Sequence, residues 1–248
     1  MNCCTSTGYR TIFGAKAVER DARRYRKKGL TGSTQWLFHA LNSDGVSGAS
    51  VLEVGGGIGD VQIELLTAGA SHATNVEIID SYEATAHTLI SEHNLDARVE
   101  RHIGDFAQNP DQTAPADIVI MHRVICCYPD SDALITAACN HAHDRVAITV
   151  PRESLWVKLG FTIMNAWLRL RRIAFRGYVH PLERMVELAG SHGYHTTHQQ
   201  RGRLWESLIL NRRHPAANDT AQWTAVRTSS LARPSPPYGR DRPRAACM

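Results

Sequence analysis

The stretch Val51-Leu52-Glu53-Val54-Gly55-Gly56-Gly57-Ile58-Gly59-Asp60 constrains this chain more than any other, because an apolar strand runs directly into a glycine turn. Glycine tolerates positive φ and lets a backbone pass close beneath a ligand. An acidic residue, Glu77, follows on the next apolar run, about 20 residues on, the spacing at which a carboxylate meets a ribose diol. Strand, turn and carboxylate together predict an open α/β sheet with a nucleoside-type ligand at its strand ends. A tight strand-to-helix turn with no ligand is the competing reading of the glycines taken alone.

A dinucleotide site needs G-x-G-x-x-G to seat a pyrophosphate on a helix N-terminus. Here Gly55, Gly57 and Gly59 give G-x-G-x-G, Asp60 stands where the third glycine would be, and Glu53 adds a second negative charge. A phosphate is disfavoured there, and no P-loop run occurs. Downstream, residues 73–79 read as a second buried strand with Glu77 and Ile78 near its end, and residues 98–102 as a short strand leading to Gly104-Asp105-Phe106. Residues 116–121 form a continuous apolar run of buried-strand length, followed by His122 and by Cys126-Cys127-Tyr128-Pro129-Asp130. In this order the four features resemble the class I S-adenosylmethionine-dependent methyltransferases, whose cofactor is a nucleoside carrying an amino acid and no phosphate. The likeness covers residues 50–150 and extends weakly to Arg213.

The resemblance implies that S-adenosyl-L-methionine is held by Glu53, Gly55, Gly56, Gly57, Gly59, Glu77, Ile78, Asp105, Phe106 and His122. Glu77 would take the ribose hydroxyls, Asp105 the adenine amine, and Phe106 the flank of the ring. A helix-capping turn is the alternative role for Asp105. A narrower likeness, to the magnesium protoporphyrin O-methyltransferases, rests on the apolar strand, the Tyr128-Pro129-Asp130 turn and a basic apolar insertion.

Hydrophobic periodicity places a basic helical segment at 15–42, strands at 49–54, 73–79, 98–102, 117–121 and 145–150, and helices at 60–68, 82–93, 132–142 and 182–189. Strands 194–200 and 204–211 flank Arg201-Gly202-Arg203, which reads as a hairpin turn. The expected fold is therefore a Rossmann-like, doubly wound, mostly parallel seven-stranded α/β sheet with a terminal antiparallel hairpin. Three regions follow: a basic N-terminal lid segment (1–45), a methyltransferase domain (46–213) with an acceptor-shaping insertion near 152–180, and a disordered Pro/Arg-rich tail (214–248).

A hydrophobic share of 43% in 248 residues allows a well-buried core, and no uninterrupted apolar run is long enough to cross a bilayer. The N-terminus lacks the pattern of a secretory signal, and the six cysteines, including the Cys3-Cys4 and Cys126-Cys127 pairs, fit neither a disulfide framework nor a C-x-x-C zinc site. A cytoplasmic protein with no bound metal is expected. Charge is uneven, with Arg10, Lys16, Arg20, Arg23, Arg24, Arg26, Lys27 and Lys28 crowded near the start. A solvated helix face explains them, as does a lid in which Tyr25, Trp36, Leu37 and Phe38 cover the cofactor mouth. In the insertion, Trp156, Leu159, Ile163, Trp167 and Leu170 recur at helical spacing beside Lys158, Arg169, Arg171, Arg172 and Arg176. This segment reads as an amphipathic helix packed on the sheet, or as a lid or interfacial helix for a lipophilic molecule.

Methyl transfer is a direct displacement in which the cofactor supplies the activation, so a base is optional. His122 and Tyr128 are the candidate catalytic residues, with Asp130 and His180 behind them. The expected reaction is methylation, with O-methylation preferred, of a small lipophilic or anionic acceptor. No nucleic-acid partner is expected, and peripheral membrane contact is compatible with the insertion. The alternatives are a noncatalytic nucleoside-binding regulator of the same fold and an NAD-dependent oxidoreductase, which Asp60 and the hairpin disfavour.

Overall fold

Val51, Leu52 and Val54 are buried on both faces of a sheet, as the unbroken apolar run requires of a central parallel strand. The computed structural model describes residues 6–213. The expected disordered tail and the Cys3-Cys4 pair lie outside the described residues. In chain order the elements are α1 (Ser6–Ile12), α2 (Ala15–Lys28), α3 (Ser33–Ser43), β1 (Ser50–Val54), α4 (Asp60–Thr67), β2 (His72–Glu77), α5 (Glu83–Glu92) and β3 (Val99–Ile103). They continue as β4 (Ala116–His122), α6 (Ser131–His141), β5 (Ala142–Pro151), α7 (Leu155–Leu170), α8 (Leu182–Ser191), β6 (Tyr194–Arg201) and β7 (Trp205–Arg212).

The seven strands run in the order β3-β2-β1-β4-β5-β7-β6. All neighbouring pairs are parallel except β5–β7 and β6–β7, so the terminal hairpin inserts β7 beside β5 and leaves β6 at the edge. One face of the sheet is covered by α2, α3, α4 and α5, where Leu37, Leu41, Ile63, Leu66 and Leu89 meet Val51, Ile118 and Ile120. The other is covered by α6 and α8, where Ile135, Ala138, Met185 and Ala189 meet Leu52, Val119, Ile148 and Leu210. Because β1 winds towards β2 and β4 towards β5, the loops after β1 and β4 part at the centre of the sheet. That is the switch point at which open α/β sheets form their ligand crevice.

Two differences from the sequence expectation have local causes. The N-terminal region is three helices, with Gly29 (φ 63°) and Gly32 (φ 61°) breaking α2 from α3 in a conformation that a continuing helix forbids. The insertion helix α7 does not lie on the sheet. It buries only Val157 and Leu168, and Leu168 packs with Tyr9, Ile79 and Phe175.

A crevice at the sheet's switch point

The glycine turn is held from below and from both sides. Gly55 and Gly57 adopt φ of 64° and 59°, and Gly59 (φ 79°) leads into α4, so these three positions use the left-handed region directly. Gly56 is constrained by space instead: a Cβ there would come within 2.3 Å of Asn75 Nδ2 and 2.6 Å of Glu53 Oε2. Beneath the turn lie Glu53, Gln62 and Asn75, all buried, and burial pushes the Glu53 carboxyl well above its ordinary range. Glu53 is thus under the loop rather than on the wall of the crevice, and its role is to fill the space that Gly56 leaves. At Gly57 the amide donates to Glu77 Oε1 while the carbonyl accepts from Arg101 Nη2 at 3.0 Å. Arg101 is itself paired with Glu83 at 2.8 Å, so Gly57 is held at both its amide and its carbonyl.

Above this turn is a cavity of about 420 Å³. Gly55, Gly56, Gly57, Asp60, Glu77, Ile78 and Tyr82 form one side, and His122, Arg123, Val124, Cys126 and Cys127 after β4 form the next. Tyr9 from α1 and Phe13 directly after it, Arg20, Asp21 and Arg24 from α2, Thr31 and Thr34, and Trp205 from β7 supply most of the rest. A smaller pocket of about 60 Å³ adjoins it, sharing Gly55, Glu77, Ile78 and Val124, and is walled by Asp105, Phe106 and Tyr128. Glu77 and Asp105, one on β2 and one after β3, therefore face the same crevice. Burial raises the Glu77 carboxyl to about 7, against the pull of the Gly57 amide and Arg101.

The structure brings Gly55, Gly56, Gly57, Glu77, Ile78, Asp105, Phe106 and His122 together and leaves Glu53 and Gly59 as supports of the turn. Asp105 caps the turn that follows it, its Oδ1 accepting from the amides of Ala107 (3.1 Å) and Gln108 (3.3 Å), and the residue also lines the smaller pocket. The two candidate bases lie in different environments. Tyr128 donates its hydroxyl to Asp105 at 3.1 Å, outside the larger cavity, and burial raises it to about 12. His122 does line the cavity, 3.0 Å from Ser33 Oγ, but burial and the charges of Arg123 and Arg24 push its imidazole down to about 3. Neither is a proton acceptor poised near neutral pH. Asp130 caps α6 through the Ala133 amide, and His180 contacts the Tyr128 carbonyl at 2.9 Å. Both are structural.

The lid residues are corrected. Tyr25 is buried against Glu64, and Leu37 is in the core, while Tyr9 and Phe13 are the N-terminal aromatics that reach the cavity. Arg123 was not singled out by the sequence. It adopts φ 61°, donates to Ser33 Oγ at 2.9 Å and stacks over Trp205 at 4.6 Å. The only early signal was its place directly after a buried strand. Among the described residues no group of His, Cys, Asp and Glu is arranged to hold a metal ion, although Cys126 and Cys127 face the cavity.

No protein-family model matches the sequence, and no curated protein matches it. Solved structures do match its fold. Magnesium protoporphyrin IX methyltransferase from Synechocystis PCC 6803, solved with bound SAH, is similar at a TM-score of 0.65 and 20% identity, over 84% of this chain and 100% of that one. An O-methyltransferase family protein from Burkholderia thailandensis is similar at 0.62 and 16% identity, over 84% of this chain and 64% of that one. The chain has the fold of the class I S-adenosylmethionine-dependent methyltransferases, with their mostly parallel seven-stranded sheet and antiparallel C-terminal hairpin.

Proposed function

We propose that the chain is an S-adenosylmethionine-dependent methyltransferase that O-methylates a small anionic molecule. The observation that carries this reading is the convergence of Glu77, Asp105 and the clamped glycine turn on one crevice at the switch point. The residues fit the cofactor: the turn offers close backbone approach without a phosphate site, Glu77 suits the ribose diol, and the Asp105–Phe106 pocket suits the adenine. Asp60, a carboxylate raised by burial to about 6, faces the cavity where an ammonium group would neutralise it. When bound, S-adenosylmethionine supplies an electrophilic methyl group and its own leaving group.

The remaining wall sets the acceptor. Arg20 and Arg24, which share Asp21 at 3.3 and 3.7 Å, and Arg123 leave a net positive charge on this wall among Tyr9, Phe13 and Trp205, a combination suited to an acidic oxygen on an apolar body. An oxygen that arrives ionised needs no base, which matches a cavity whose histidine does not titrate near neutrality. Arg123, fixed by Ser33 and Trp205, would orient that oxygen towards the methyl group. The thiols of Cys126 and Cys139 suit a cytoplasmic setting.

Calorimetric titration of the full chain tests the reading. S-adenosylhomocysteine should bind and NAD should not bind comparably. NAD binding alone would replace the assignment with the oxidoreductase. Cofactor binding with no methyl transfer to a panel of carboxylic and phenolic acids would favour the noncatalytic nucleoside binder.

A further inference from the structure

Helix α7 is apolar on two opposite faces, and only one is used. At about 100° per residue, Val157, Phe161, Met164 and Leu168 share a face, and on it Val157 and Leu168 are buried. The opposite face carries Leu155, Trp156, Leu159, Ile163, Trp167 and Leu170, each more than half exposed, with Leu155 at 88% and Leu170 at 80%. Large apolar side chains scattered singly on a surface need no explanation, but six in one stripe along a 16-residue helix form a contiguous patch of the kind that marks an interaction site.

We propose that this face of α7 docks on an anionic lipid surface. The charge around the stripe selects that occupant. Residues 154–181 contain Lys158, Arg169, Arg171, Arg172 and Arg176 and not one aspartate or glutamate. Lys158 and Arg169 border the stripe along one side, and Arg171 and Arg172 extend the basic border past its C-terminal end, where Arg171 lies 5.3 Å over the Trp167 ring. Two tryptophans near the ends of the stripe, long basic side chains at its margin and apolar residues between are what an in-plane interfacial helix requires. A second copy of the chain is a poorer occupant, because a symmetric pairing would bring two basic borders against each other, with only Glu153, already paired to Lys158 at 3.1 Å, to offset them. The helix is too short to span a bilayer, and no helix among the described residues is long and apolar enough to do so. It would therefore lie on the surface.

The position gives the contact a use. Leu168 packs against Tyr9 and Phe175, and Phe175 meets the Tyr9 and Phe13 rings edge-on at 5.7 and 5.6 Å. Tyr9 and Phe13 in turn line the large cavity. A lipid surface on the stripe would thus be separated from the crevice by α7 and the layer of Tyr9, Phe13 and Phe175, and docking of the helix would bear on the cavity wall through that layer. The docking itself does not depend on the methyl-transfer reading.

Co-sedimentation of the full chain with vesicles tests it. The protein should bind phosphatidylglycerol/phosphatidylcholine vesicles about 10-fold or more tightly than phosphatidylcholine vesicles, with the difference shrinking at high salt. Trp156→Glu/Ile163→Glu should lower binding to the anionic vesicles about 10-fold or more, and Arg171→Gln/Arg172→Gln should reduce the preference for them. All changed positions are exposed, and unaltered S-adenosylhomocysteine binding and circular dichroism would show that the variants fold. The proposal is overturned by a wild-type protein that ignores anionic vesicles. It is equally overturned by α7 variants that bind them as well as wild type, which would assign attachment to the basic α2 or to residues 214–248, or by a wild-type dimer that Ile163→Glu splits. Failure to bind S-adenosylhomocysteine would count against the proposed reaction and leave the vesicle result standing.

Discussion

Glu77 concentrates the chemistry of the crevice in one carboxyl group. Its ordinary value of 4.5 is raised by burial to about 7, so the unliganded protein holds it partly protonated at neutral pH. A raised carboxyl also means that ionising it costs stability, a penalty that grows as pH climbs from about 4.5 towards 7 and is constant above. Ribose hydroxyls donate to a carboxylate at both oxygens, whereas the protonated form surrenders one acceptor. Affinity for S-adenosylhomocysteine should therefore rise between about pH 5.5 and 7.5 and then level, with proton release on binding near neutrality. Calorimetry in two buffers of different ionisation enthalpy would show the released proton. Glu77→Gln should remove the part of the rise centred near pH 7 and leave the part near pH 6 that Asp60 contributes, and Glu77→Ala should weaken binding by about 1–3 kcal/mol. A wild-type affinity that ignores pH would move ribose recognition to another group. The carboxylate at this position was legible in the sequence because strand and spacing both pointed to it. The histidine at 122 was equally legible as a pocket residue, but its weak basicity was not. Burial beside Arg24 and Arg123 is a property of the assembled fold, and the ordinary imidazole value belongs to solvent.

Among the elements, the glycine turn and α7 show where a local pattern carries the answer and where it stops. The turn was readable because glycine at left-handed φ is a local demand of the chain itself. The reason for Gly56 was not readable, since it lies in Asn75 and Glu53, residues that only strand pairing brings beneath it. The two kinds of constraint predict different substitutions. Gly57→Ala meets a φ of 59° and Tyr82 carbons no nearer than 3.4 Å, so it should cost about 1 kcal/mol of backbone strain. Gly56→Ala must displace a buried amide and carboxyl, and about 2–3 kcal/mol is the expected loss, with S-adenosylhomocysteine affinity falling at least 10-fold. Urea denaturation and calorimetry check both, and equal destabilisation would show that the polar layer yields freely. For α7, periodicity grouped Trp156, Leu159, Ile163, Trp167 and Leu170 on one side, but that side is the exposed one, and the helix packs through Val157 and Leu168 instead. Both faces are apolar, and a pattern with two candidate faces does not say which one the rest of the chain covers. The same limit hid Arg101 and Arg123, whose partners Gly57 and Ser33 are 44 and 90 residues away.

At the scale of the molecule, the crevice is built from segments that the sheet holds apart: α1 and α2 at the start of the chain, the turn after β1, the ends of β2 and β4, and Trp205 on the terminal hairpin. A ligand that touches all of these binds only the assembled protein, so its affinity becomes folding stability. At about 100 times its dissociation constant, S-adenosylhomocysteine should add about 2.7 kcal/mol, which for a chain of this size corresponds to a rise in Tm of about 5–11 °C. NAD at the same concentration should give no comparable rise. The size of the shift should track cofactor affinity across Glu77→Ala and Gly56→Ala. A core substitution such as Leu52→Ala, at a fully buried residue that does not itself line the crevice, should lower the baseline Tm while leaving the ligand-induced stabilisation in place. Scanning fluorimetry separates these cases. A stabilisation lost equally in Leu52→Ala and Glu77→Ala would mean that the ligand reports on general rigidity, and the crevice would lose its claim to be a preformed nucleoside site.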